Sequence, residues 1–190
     1  MPPLKRLAAL LLAATLTGCA HAPPVQFFTL VAAPGVPQTR YTGTAQVTAV
    51  RIPAALDRTQ LVREASTARV EMDDGAQWAA PLEQLIADAL TQDLQQRLGA
   101  NHVLAPSAVG ADETVHIRLD LLRFAPTPDK AVVLDGSYSF LHAGQVIHQA
   151  PLHVEIPTSA GDSSAQTQAQ AMSAALGAVA ERIAQQLVNR

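Results

Sequence analysis

Two amphipathic helical patterns and about seven strand-like segments predict an α/β fold. Its expected form is a mixed sheet with an antiparallel meander and two main amphipathic helices packed on it. Three observations carry this expectation. Leu82, Leu85, Ile86, Ala89, Leu90, Leu94 and Leu98 recur at three- and four-residue steps, the repeat of one helix face. Met172, Ala175, Leu176, Val179, Ile183 and Leu187 form a second such stripe near the end of the chain. Between them, "ETVHIRLDLLRF" alternates Val115, Ile117, Leu119 and Leu121 with Thr114, His116, Arg118 and Asp120, the pattern of a strand wet on one face.

The remaining elements follow in chain order. "FFTLVA" (Phe27 to Ala32) is a short apolar strand, ended by the prolines and glycine of "APGVPQ". "TAQVTAVRIP" (Thr44 to Pro53) is a second strand, halted by its proline. "QLVREASTARVEMDDG" reads as two short strands around a turn near Ser66, ending at Asp73-Asp74-Gly75. Pro81 suits the first position of the first helix and Gly99 its C-terminal stop, with Gln84, Asp88, Gln92 and Gln95 on the wet face. "AVVLDGSYSFL" and "QVIHQAPLHVEIP" complete the meander, with turns at Pro126–Asp129 and Ala143-Gly144. Asp162–Ser164 opens the last helix, which runs to the C-terminus.

At 190 residues, 48% hydrophobic and 15% charged, the chain can bury one sizeable core. Its formal charge of −3, with both signs interspersed, argues against a nucleic-acid surface, which needs clustered Lys and Arg. The single cysteine excludes an internal disulfide and any multi-cysteine metal site.

That cysteine has a particular setting. Lys5 and Arg6 precede the apolar run Leu7 to Leu16, which as a helix spans only about 15 Å, half of a bilayer core. The run is therefore a signal-peptide core and not a membrane anchor. It ends in Leu16-Thr17-Gly18-Cys19, which looks like a bacterial lipobox. The expected organisation is a lipoprotein signal peptide at 1–18, a lipidated tether at 19–26 and one periplasmic α/β domain at 27–190. Cys19 would carry a thioether-linked diacylglyceryl group and an N-acyl chain, and acyl chains in that number hold a membrane firmly. No other cofactor is expected. Cleavage removes Lys5 and Arg6 and no acid, so the mature chain carries −5 (−3 minus 2). Ala20, where inner-membrane lipoproteins usually have aspartate, points to the periplasmic face of the outer membrane.

No catalytic or metal constellation stands out. The histidines His116, His142, His148 and His153 lie in or beside the meander but form no close ligand set. Ser137, Ser139 and Asp135 lack a nucleophile-elbow context, and Gly75, Gly99, Gly110 and Gly136 are separate turn or strand glycines. Asp73-Asp74 reads as a solvated pair on a turn. Trp78, the only tryptophan, suits either a core anchor or a partner-binding residue. Small side chains on the last helix leave room for close packing with a second copy, a homo-oligomer.

The segment from Val50 to Leu98 carries a further pattern. Ile52-Pro53 ends a strand, Leu56-Asp57-Arg58 and Gln60-Leu61-Val62 follow, and Trp78 with Pro81-Leu82 opens a helix. With "FFTL" after the cysteine, this resembles the ABC-type transport auxiliary lipoproteins of the PqiC/YmbA kind. Ala55 stands where the family commonly has tyrosine, and an unremarkable "EAS" follows Arg63. The resemblance implies an anticodon-binding-domain-like α/β sandwich. It also implies partners: MCE-domain periplasmic proteins and inner-membrane transporter components that move lipids or other hydrophobic molecules between the membranes. Asp57, Arg58 and Trp78 are then the expected partner-binding residues, on an exposed docking surface. The alternatives are a lipid carrier with its own apolar cavity and a general envelope-structural lipoprotein.

Overall fold

Strand β1 (Gln26–Phe28) opens the computed structural model, which describes residues 24–38, 40–158 and 162–190. Cys19 and the expected signal peptide at 1–18 lie outside the described residues. Strands β2 (Ala45–Arg51), β3 (Gln60–Ser66) and β4 (Arg69–Trp78) precede helix α1 (Leu82–Leu98). A single 3-10 turn, Ala100–His102, leads into the two-residue strand β5 (Val103–Leu104). The meander is β6 (Val115–Pro126), β7 (Ala131–His142) and β8 (Gln145–Pro157), and helix α2 (Ala165–Val188) closes the chain.

The strands form two mixed sheets, ordered β1-β4-β3 and β5-β2-β6-β7-β8. In the larger, β2 runs parallel to both β5 and β6, and the meander is antiparallel, as the alternation predicts. In the smaller, β1 is parallel to β4 and β3 antiparallel to it. The segment between β2 and β6 therefore carries β3 and β4 of the small sheet, α1 and β5 in one crossover, while β1 joins that sheet from the chain before β2.

Both helices pack on one face of the large sheet and on each other. The stripes read from the sequence are the buried ones: every residue named for the second helix is at most 6% exposed. Ile117, Leu119, Phe124, Leu134 and Phe140 meet them from the sheet, all 0% exposed. Together these side chains form one continuous buried cluster between helices and sheet.

Several boundaries differ from the sequence expectation, each for a local reason. β1 stops at Phe28 because the chain turns toward the helices, where the Val31 N–H donates to Ser173 Oγ at 3.1 Å. β4 runs past Asp73-Asp74-Gly75 to Trp78, since Gln26, Phe27 and Phe28 pair with its last three residues. Pro81 is the residue before α1 and not its first, with ψ 132 and its carbonyl accepting from the Leu85 N–H at 3.1 Å. Thr114 was expected on the wet face but is 1% exposed.

The meander turns are well specified. Ala143 and Gly144 both sit at positive φ, 48 and 77, the geometry of a two-residue hairpin turn that matches strand twist. In β6 the pairing shifts between Leu121 and Arg123, and Leu122 is pushed outward to 78% exposure. Opposite this bulge stands Gly136. A Cβ there would collide with the Asp120 carbonyl oxygen and lie 2.9 Å from Leu121 Cα, so only glycine lets the strands approach.

Candidate functional site

The segment between β2 and β3 is a tight turn built on its own backbone. The Leu56 N–H donates to the Pro53 carbonyl at 2.9 Å, and the Arg58 N–H to the Leu56 carbonyl at 2.8 Å. Leu56, 7% exposed, pins the turn into the core, which leaves Asp57 and Arg58 pointing outward. Arg58 Nη1 donates to the Asp57 carbonyl at 2.7 Å. The two charged side chains form no salt bridge among the described residues, so both stay available at the surface.

The fold brings this turn to the end of β4. The Trp78 N–H donates to the Thr59 carbonyl at 2.7 Å, and the Ala79 N–H to the Phe28 carbonyl at 2.8 Å. Asp57, Arg58 and Trp78 consequently line one open groove of about 360 Å³, together with Ala79, Ala80 and Pro81. The three expected residues are thus neighbours. Trp78, however, is not exposed: at 6% it belongs to the core, and it lines the groove from its buried side. A tryptophan has too much apolar surface to leave in water beside a packed helix start. The exposed part of the expected docking surface is Asp57 and Arg58 alone.

A second site-like region was not singled out from the sequence. The distal half of the β3–β4 hairpin projects beside the β6–β7 turn and encloses an open groove of about 680 Å³. Its base is tied by a forked ion pair: Arg123 Nε donates to Glu64 Oε1 at 2.6 Å and Nη2 to Glu64 Oε2. The fork raises the Arg123 pKa, with the hydrogen bond to Glu64 as the main cause. Val70 and Met72, half exposed on β4, and Leu122 on the bulge add apolar surface. The adjacent leucines of "LDLLRF" were the available signal, because a double apolar step breaks strict alternation.

The third feature is buried charge in α1. Asp93 and Arg97 are 0% and 3% exposed and lie one turn apart. Arg97 Nε donates to Glu181 Oε2 on α2 at 3.0 Å, and its Nη2 donates to the Gly177 carbonyl at 3.1 Å. Asp93 Oδ1 accepts from the Ala33 N–H at 2.8 Å and from Arg97 Nη1 at 3.3 Å. Burial pushes the Asp93 carboxyl up to about 6, against the pull of the Ala33 N–H and Arg97. The group clamps residues 33–38 across both helices, with Asp93 fully closed off from solvent.

Of the residues considered for chemistry, His153 and Asp135 form one exposed pair, and Ser139 stands apart from it without a partner. His153 Nδ1 lies 2.6 Å from Asp135 Oδ1 on the solvent face of the meander, while Ser139 is fully buried with its hydroxyl unbonded. His148 packs on Tyr138 and Phe140, with ring centroids 5.6 and 5.2 Å away. Among the described residues, no group of three or more His, Cys, Asp or Glu side chains could hold a metal ion.

Comparison with known proteins places this architecture. A family model described as "ABC-type transport auxiliary lipoprotein component" matches residues 28–184. A solved structure of an uncharacterized protein superposes with a TM-score of 0.70 at 20% identity, covering 86% of this chain and 98% of that one. Protein XCC0632 from Xanthomonas campestris, of the DUF330 family, superposes with a TM-score of 0.60 at 18% identity, covering 86% and 91%. At such identities these two structures share the fold. No curated protein matches the chain.

Proposed function

The chain belongs to the ABC-type transport auxiliary lipoproteins, and from that premise we propose that it is a docking subunit without chemistry of its own. Cys19 carries the lipid anchor at the periplasmic face of the outer membrane. The domain receives the distal end of an MCE-type assembly that moves lipids or other hydrophobic molecules between the two membranes. Anchoring raises the local concentration of the docking surface, so each contact can be weak. Asp57 and Arg58, exposed on a turn that the core holds rigid, are the residues assigned to contact that partner. Trp78 shapes the groove from behind.

The single observation that carries the reading is the family match, which spans the domain and begins shortly after a lone cysteine in a lipobox-like setting. The packing supports docking over carrying. A carrier needs a continuous apolar cavity of about 300–1,000 Å³. Here the layer between helices and sheet is filled, and the grooves of 680 and 360 Å³ are open surface features lined partly by charged residues.

Crosslinking in cells followed by purification tests the proposal. Wild type is expected to recover an MCE-domain protein, and Cys19→Ser to leave the membrane fraction. Wild type that recovers envelope proteins but no MCE-domain protein would contradict the docking role. A Cys19→Ser protein still in the membrane fraction would contradict the anchor.

A further inference from the structure

Beside the first strand the chain leaves large apolar side chains in water. Phe27 is 67% exposed, Val31 54% and Val25 42%. Phe27 and Val31 border one open depression of about 300 Å³, whose other wall is the start of α2 at Gln166, Ala169, Gln170 and Ser173. We propose that this surface lies against the bilayer that holds the anchor, at the boundary between headgroups and acyl chains. The inference rests on lipidation at Cys19.

Covalent reach is the first argument. Six residue steps separate Cys19 from Val25, at most about 20 Å of extended chain. The edge of the domain at β1 is therefore the part that the anchor holds nearest the membrane. That edge is also where Val25 and Phe27, two residues apart along an extended segment, are exposed.

Charge is the second argument. No Asp, Glu, Lys or Arg occurs from Ala20 to Thr39, and none in α2 from Ala165 to Ala180. Every residue lining the depression is uncharged. Such a surface approaches a headgroup layer without desolvating an ion, and its glutamines can still bond to headgroup oxygens. The contrast with Val70 and Leu122 is instructive, because Glu64, Arg69 and Arg123 stand around those. Without Lys or Arg at its centre, the β1 surface gains nothing from anionic lipid, so its contact is expected to be insensitive to salt.

The test uses the full lipidated chain in vesicles of phosphatidylethanolamine and phosphatidylglycerol. Thioether formation consumes the only native thiol, so a cysteine introduced as Phe27→Cys or Val31→Cys takes up an environment-sensitive fluorophore at that site alone. Val109→Cys, at a position 99% exposed, is the aqueous control. The expected result is blue-shifted emission at 27 and 31, quenched by nitroxide carried on the lipid and unchanged by high salt. The control stays water-like and unquenched. Protein that floats with the vesicles while labels at 27 and 31 match the control overturns the contact and leaves the anchor standing. A blue shift without lipid quenching, or with self-quenching between labels, overturns it in favour of a protein partner or a second copy. Protein that does not float takes the anchor down as well.

Discussion

The carboxylate of Asp93 in the first helix accepts the backbone N–H of Ala33, sixty residues earlier in the chain, at 2.8 Å. The bond fixes the path from the first strand over both helices, and it is made by a group whose charge is costly where it sits. Burial raises its pKa to about 6 from an ordinary 3.8. The raised value means that the folded state binds the proton more tightly than the unfolded one. The stability this gives is fully present below about pH 4 and is lost as pH rises through about 6. Asp93→Asn keeps an acceptor for Ala33 and removes the titration. The stability of wild type relative to Asp93→Asn, measured by urea unfolding, should therefore rise by on the order of 2 kcal/mol between pH 7 and pH 4.

Gly136→Ala is expected to destabilise the domain by about 1–3 kcal/mol, the usual cost of forcing extra volume into packed structure. The obstacle is backbone, at the Asp120 carbonyl and Leu121 Cα, and backbone cannot step aside as a side chain can. Thermal unfolding should show a lowered Tm with unchanged far-UV spectrum at low temperature.

Glu64 and Arg123 join the small sheet to the meander through a forked pair that is partly open to solvent, 23% and 38% exposed. A double-mutant cycle with Glu64→Gln and Arg123→Met should give a coupling of about 0.5–1 kcal/mol that shrinks as salt is added. Asp135 lies 3.9 Å from Arg123 and takes over part of the pairing in the Glu64 variant, which keeps the figure small.

Trp78→Ala should cost about 3–5 kcal/mol, the range for emptying a buried aromatic site. Loss of partner binding in that variant would then report unfolding as much as docking. Arg58→Ala, on an exposed turn, should leave Tm within about 1 °C for a change of under about 0.2 kcal/mol. It is the variant that separates the two effects.

Much of this architecture was legible in periodicity. The 3.6-residue stripes of both helices and the alternation of the meander are the signatures of burial on one face, and those faces are the ones buried. What stayed hidden depended on contacts distant in sequence. β5 is two residues long and is held by Ala45 and Gln46 of β2, so it has no period of its own. Asp93 and Arg97 look like any exposed i,i+4 pair until residues 33–38 fold over them. At the site, the neighbours Asp57, Arg58 and Trp78 were identified through a family motif. Their separate exposures required the structure, since burial of Trp78 follows from where β1 and α1 meet β4, and Arg58 is left on the outer side of its turn.

The central claim, that the Asp57–Arg58 turn receives a transport partner at the membrane, is tested most directly by crosslinking from the site itself. A photoreactive residue at position 58 in cells should capture an MCE-domain protein, while the same residue at Val109, 99% exposed, should not. Capture from 109 and not from 58, or no MCE-domain adduct from 58 in protein shown to be membrane-bound, would contradict the account.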